Sequence, residues 1–140
     1  MKQYPSRLKF KKNQKPAASL LYLCDNKTFY SIKGNFLIKS IENAPLTYNQ
    51  LESCRRAIKR KIKRQGSILI RLFTNISRTK KPLATRMGKG KGNHSYWQCQ
   101  VKAGQVICEV LCKNKMLGWL AVKEAAKKLP VKVLITYKFY

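Results

Sequence analysis

Thr47-Tyr48-Asn49-Gln50-Leu51-Glu52-Ser53-Cys54-Arg55-Arg56-Ala57-Ile58-Lys59-Arg60-Lys61-Ile62-Lys63-Arg64-Gln65-Gly66 is the stretch whose reading decides the fold. Thr47 with Gln50 three residues on is a capping-box signature, Pro45 marks the turn before it, and Gly66 supplies a stop after Arg64-Gln65. Plotted at about 100° per residue, Leu51, Cys54, Ile58 and Ile62 fall in one narrow apolar stripe. Arg55, Arg56, Lys59, Arg60, Lys63 and Arg64 occupy the remaining arc. A solvated helix face usually mixes signs to gain i,i+4 pairs. From Arg55 to Arg64, seven of ten residues are cationic and none is acidic, so their repulsion awaits an external polyanion.

Outward from this helix the pattern changes. Upstream, Leu20-Leu21-Tyr22-Leu23-Cys24, Phe29-Tyr30-Ser31-Ile32 and Phe36-Leu37-Ile38, broken by Asp25-Asn26-Lys27 and Gly34-Asn35, read as short antiparallel strands. Downstream, Ser67 to Phe73 reads as a buried strand and Thr74 to Pro82 as an irregular basic connection holding Arg78, Lys80 and Lys81. Tyr96 to Val101 and Gln105 to Val110 alternate around Ala103-Gly104, a hairpin signal. Met116 to Leu129 is a second helix, with Leu117, Ala121, Ala125 and Leu129 in an i+4 row and Pro130 as its stop. Val131 to Tyr137 closes the chain as a strand. The expectation is one α+β domain over residues 18–140, preceded by a basic arm over 1–17.

Charge bounds what such a domain does. Among 140 residues, 31 Lys and Arg stand against five acids, Asp25, Glu42, Glu52, Glu109 and Glu124, for a net charge of +26. That imbalance implies a polyanionic partner, whose phosphates relieve self-repulsion by displacing counterions. Hydrophobic content of 44% still suffices for a modest core, so the chain is not a disordered basic tail. The arm carries Arg7, Lys9, Lys11 and Lys12 with no acid, and interleaves Tyr4 and Phe10, whose rings can stack on bases.

Arg86-Met87-Gly88-Lys89-Gly90-Lys91-Gly92-Asn93 alternates cation and glycine on a loop. Glycine takes φ > 0 and lets a polyanion approach backbone N–H groups, while the lysines attract at longer range. It is no Walker A motif, because Gly90-Lys91 is followed by Gly92 and not by a hydroxyl residue. Catalysis is not expected: five scattered acids and the single His94 offer neither a metal cluster nor an acid/base pair. Five cysteines, Cys24, Cys54, Cys99, Cys108 and Cys112, contain no C-x-x-C, so metal is not expected and most should fill core space. No window approaches the ~18 apolar residues of a spanning helix, no stretch has an interfacial helix's face, and Met1 to Arg7 has no signal core. No membrane, small-molecule substrate or cofactor is therefore expected. On these residues alone, a free RNA- or DNA-binding protein of the chaperone type remains open.

Leu51-Glu52-Ser53-Cys54-Arg55-Arg56-Ala57, Lys63-Arg64-Gln65-Gly66, Lys81-Pro82-Leu83-Ala84, the run Arg86 to Asn93 and Tyr96-Trp97, in this order and spacing, resemble the L-sixteen family of large-subunit ribosomal proteins. The likeness extends from about Tyr4 to Pro130, in the bacterial and organellar branch. It implies an α/β-hammerhead-like mixed sheet with two helices, no catalysis, and a place on large-subunit ribosomal RNA beside the aminoacyl site and near the peptidyl-transferase centre. Implied partners are that RNA, aminoacyl-site tRNA and neighbouring large-subunit proteins. The resemblance puts Arg86 to Asn93 close to tRNA and Ser6 to Lys12 into ribosomal RNA. Three segments depart from the family pattern: Phe73-Thr74, Ile41 to Pro45, and Cys108 to Leu111. The family-like start near Met1 leaves no room for a presequence, and the cysteines with abundant Lys, Asn, Tyr and Ile suggest an organelle-encoded mitochondrial protein. Bacterial cytoplasm or a plastid is the alternative.

Overall fold

The computed structural model describes residues 4–14, 30–88 and 90–138. The strand expected over 20–24, the turn after it, the arm boundary at residue 17, Cys24 and Lys89 lie outside the described residues. Nine elements follow in order: β1 (Phe36–Ser40), β2 (Ala44–Thr47), α1 (Tyr48–Ile62), β3 (Gly66–Ile70), β4 (Ile76–Lys80), β5 (Asn93–Val101), β6 (Val106–Cys112), α2 (Lys115–Ala126) and β7 (Val133–Tyr137).

α1 begins where its cap dictates. The Thr47 hydroxyl accepts from the Gln50 amide at 3.4 Å, and the Gln50 side chain accepts from the Thr47 amide at 2.9 Å. Leu51, Cys54, Ile58 and Ile62 are all buried, as the stripe requires. They meet Phe36 and Ile38 of β1, Cys108 and Val110 of β6, and Ala121, Val122 and Ala125 of α2 in one core. Ile58 alone, with no exposed surface, contributes roughly 2 kcal/mol by its burial. The small α2 residues let the two helices pack closely on each other and on the same sheet.

The strands divide into two sheets, antiparallel throughout: four strands in the order β3-β6-β1-β7, and three in the order β2-β5-β4. The α+β class with two helices is as read from the sequence. Several local readings are revised. The turn at Ala103-Gly104 is real, with Gly104 at φ 81°, but β5 and β6 do not pair across it. The turn is tied instead to the β1–β2 corner, where the Gly104 amide donates to the Ser40 carbonyl at 2.7 Å and the Ala103 amide to Asn43 Oδ1 at 2.7 Å. Each strand is thereby sent to a different sheet. β6 becomes the interior strand between β3 and β1, almost wholly buried, while β5 is flanked by β2 and β4.

The stretch read as an irregular connection contains β4, whose true hairpin partner is β5. β3 is an edge strand and not a buried one: Ile68 and Ile70 pack on the core while Leu69 faces out. Pro45 sits within edge strand β2, where a missing amide costs no ladder bond. Gly66 follows α1, but the residue that takes positive φ at the helix end is Lys63, at 55°. Gly66 is needed for a different reason, since a β-carbon there would lie 2.3 Å from the Leu111 carbonyl oxygen.

Tyr30 to Ile32 form no strand. The amides of Ile32, Lys33 and Gly34 donate to the carboxylate of Glu109 on β6 at 2.9–3.1 Å, which leaves them unavailable for a ladder. Glu109 is 1% exposed and also pairs with the Arg71 guanidinium. Burial pushes its carboxyl up, and the amides of Lys33 and Gly34, Arg71 and the Ile32 amide outweigh it, leaving the group below its usual range. A residue that the sequence offers only as one of a few scattered acids is thus the polar pin of the helix-covered sheet.

Candidate nucleic-acid interface

The Gly-Lys loop is the tip of the β4–β5 hairpin. Ile76 pairs with Gln98, Arg78 with Tyr96 and Lys80 with Asn93, so residues 81–92 are closed at their mouth by a strand pair. Gly92 makes that closure possible: a β-carbon there would lie 2.6 Å from the Lys80 carbonyl oxygen. Gly88 and Gly90 serve differently, with φ of 91° and 78° and open space around them. Inside the loop, Lys81 Nζ donates to the Gly88 carbonyl at 2.6 Å and the Thr85 amide to the Pro82 carbonyl at 3.2 Å. Arg86 and Met87 are left on the outside, Met87 at 100% exposure. An apolar side chain so placed points away from the core and toward whatever covers the tip.

The arm reaches this hairpin. Arg7, Lys9, Lys11 and Lys12 are all exposed on residues 4–14, which carry no helix or strand. Lys12 Nζ donates to the Lys91 carbonyl at 3.1 Å, and Lys91 Nζ donates to the Asn13 carbonyl. Two segments read separately as phosphate-seeking are therefore side by side. At its other end the arm is anchored by Tyr4, whose ring meets Tyr48 of α1 edge to face at 4.9 Å. Phe10 is 74% exposed, with Lys9 Nζ 5.7 Å from its ring centre.

Arg56, Lys59 and Arg60 of α1 are exposed, as are Lys63 and Arg64 just past its end, and Arg55 is half-buried. The face is less one-signed than its core sequence suggests, because Glu52 lies one turn upstream. It pairs with Arg55 at 2.7 Å and with Arg56 at 3.0 Å, and the Arg55 contact, joined by that from Arg56, holds its carboxyl down at about 2. Among the described residues no carboxylate pairs with Lys59, Arg60, Lys63 or Arg64. Those four, with the exposed Lys61, are the cations left for a polyanion, and none of them is hydrogen-bonded to the loop among the described residues.

The four described cysteines are core residues. Cys54, Cys99, Cys108 and Cys112 are free thiols and buried. Burial pushes the Cys99 thiol up to about 11, and Cys108 is pushed up by its contact with Cys54 and by burial, so neither is a thiolate at neutral pH.

Sequence reading missed an open cleft of about 670 Å³ between the start of the arm, the start of α1 and β5. Tyr4, Tyr48, His94, Tyr96 and Trp97 line it. The His94 and Trp97 rings lie 4.6 Å apart, and His94 Nδ1 is hydrogen-bonded to Ser77 on β4 at 2.7 Å. Tyr96-Trp97 was visible as a pair, but nothing local joins it to Tyr4 or Tyr48.

Exposed cations on an arm, a hairpin tip and one helix face, carried by a scaffold with its own core and no clustered acids, define a basic α+β protein that lies on a polyanion. The chain belongs to a family described as ribosomal protein L16p/L10e, whose model matches residues 5–136. It is 44% identical over 131 residues to the large ribosomal subunit protein uL16 of Blochmanniella pennsylvanica (strain BPEN), covering 94% of this chain and 95% of that one. The protein of the same name from Acinetobacter baylyi is 42% identical over 132 residues, covering 94% of this chain and 93% of the relative. That from Buchnera aphidicola subsp. Baizongia pistaciae is 43% identical over 134 residues, covering 96% of each.

Proposed function

We propose that this chain is a structural, non-catalytic constituent of the large ribosomal subunit that holds ribosomal RNA and helps position tRNA at the aminoacyl site, near the peptidyl-transferase centre. Membership of the L16p/L10e family supports the ribosomal role. The observation that carries the tRNA reading is the hairpin: a strand pair fixes the mouth of residues 81–92 and leaves Arg86 and Met87 outside. A tip on such a support can place a flexible tRNA end without reading its sequence, because phosphate contacts position while base contacts specify. Arg7, Lys9, Lys11 and Lys12 of the arm, taken as residues 1–17, and Arg55, Arg56, Lys59, Arg60, Lys63 and Arg64 of the domain at 18–140 serve ribosomal RNA in this reading. Neighbouring large-subunit proteins are the remaining partners.

The compartment we assign is the mitochondrial ribosome, with the chain encoded in the organelle; five cysteines and the abundance of Lys, Asn, Tyr and Ile support it. The bacterial names of the relatives keep bacterial cytoplasm as one alternative, and a plastid is the other. Co-sedimentation with large subunits from purified mitochondria, and not with those of plastids or of a bacterial lysate, distinguishes the three.

Replacing Lys89 and Lys91 by Ala tests the tip. In purified ribosomes carrying the variant, tRNA affinity at the aminoacyl site falls and its salt dependence flattens by about one unit of slope per lost phosphate contact. Large-subunit sedimentation stays normal. Unchanged tRNA affinity in correctly assembled particles counts against the reading.

A further inference from the structure

We propose that the aromatic cleft between the arm, α1 and β5 is a binding site for an unpaired nucleobase of RNA. The inference deepens the ribosomal RNA reading above and rests on it. The cleft's volume of about 670 Å³ lies within the usual range for small-ligand sites, roughly 300–1,000 Å³. Its walls are rings, and those rings are not stacked on one another: Tyr4 and Tyr48 meet at 84° and His94 and Trp97 at 46°. Tyr96 is 43% exposed and has no ring partner among the described residues. Aromatic faces left in this state are what a splayed base stacks on, and stacking tolerates any base.

Charge selects RNA over an apolar peptide. Among the described residues no carboxylate lines the cleft. The cations nearest in chain and register are Arg7, three residues beyond Tyr4 in the arm, and Arg78 of β4, the cross-strand partner of Tyr96. A nucleotide whose phosphates sit on those cations presents its base inward. The exposed Asn49 and Ser95 at the rim carry the amide and hydroxyl that can bond a base edge.

The test uses the full chain with Trp119→Phe, so that Trp97 is the remaining tryptophan. Its emission is followed on titration with a single-stranded hexaribonucleotide and with the same strand made abasic at the central positions. The intact strand quenches Trp97 and binds about 5- to 160-fold tighter, the range that stacking of one base supplies. Tyr96→Leu removes that difference while leaving the slope of affinity against salt unchanged, since no phosphate contact is lost. Tyr96→Phe, which keeps the ring, retains it. Equal binding of intact and abasic strands with a normal salt slope overturns the base site alone and leaves RNA binding standing. No binding of either strand or of large-subunit RNA overturns both. Saturable quenching by a proline- and aromatic-rich peptide, with the oligonucleotide inert toward Trp97, reassigns the cleft to protein.

Discussion

The two sheets of this protein are built from opposite materials. The four-stranded sheet carries both helices, buries nearly all of β6, and pins its remaining acid between Arg71 and three backbone amides. The three-stranded sheet contributes Leu46, Cys99 and Val101 to the core, but spends its length on Ser77, Arg78, Lys80 and His94, and ends in a glycine-rich tip. One sheet accounts for stability; the other holds a shape that self-repulsion opposes. A highly cationic chain can remain folded because these tasks fall on different strands.

The comparison can be broken hardest at Glu109. Glu109→Ala removes the carboxylate that accepts from the amides of Ile32, Lys33 and Gly34 and pairs with Arg71, and unfolding in urea should show a loss of about 3–5 kcal/mol. A loss under 1 kcal/mol would mean the pin is dispensable. A smaller effect, confined to the other sheet, is expected from Gly92→Ala, because its β-carbon meets the Lys80 backbone and not a movable side chain. The cost should be about 1–3 kcal/mol and appear as faster amide exchange in β4 and the start of β5, with β6 unaffected. Equal acceleration in both sheets would erase the distinction.

The smallest effect probes the helix that joins them. The Glu52 carboxyl titrates near 2 in the folded protein against an ordinary 4.5, so its contribution is complete above about 4.5 and is lost as the pH falls toward 2. Glu52→Gln should cost roughly 0.3–1 kcal/mol at neutral pH and remove that share of the acid sensitivity, measured as the difference between the two proteins' urea midpoints from pH 5 to pH 2. Parallel pH profiles would show that the two ion pairs contribute nothing.

What the sequence makes legible follows the range of the interactions involved. α1 could be read residue by residue because its cap bonds span three positions and its stripe repeats every turn. β4 could not: Ile76-Ser77-Arg78-Thr79-Lys80 buries Ser77, which His94 satisfies, so the burial signal is carried by a polar residue. The hairpin around Gly104 misled because turn chemistry is local while the choice of sheet partner is not; bonds to Ser40 and Asn43, some 60 residues away, decide it. The loop was recognisable from its glycines, yet its contact with the arm spans 79 residues and the cleft gathers rings from three distant segments. Neither leaves a periodic mark.

The reciprocal contact between Lys12-Asn13 of the arm and Lys91 of the tip has a consequence for the order of assembly. Each ammonium is held by a neutral carbonyl of the other segment, an acceptor that a phosphate oxygen displaces because it adds attraction between opposite charges to the hydrogen bond. An RNA strand that captures either lysine therefore loosens the partner segment in the same exchange. Capture of both lysines separates arm from tip, and each is then free to meet its own phosphates.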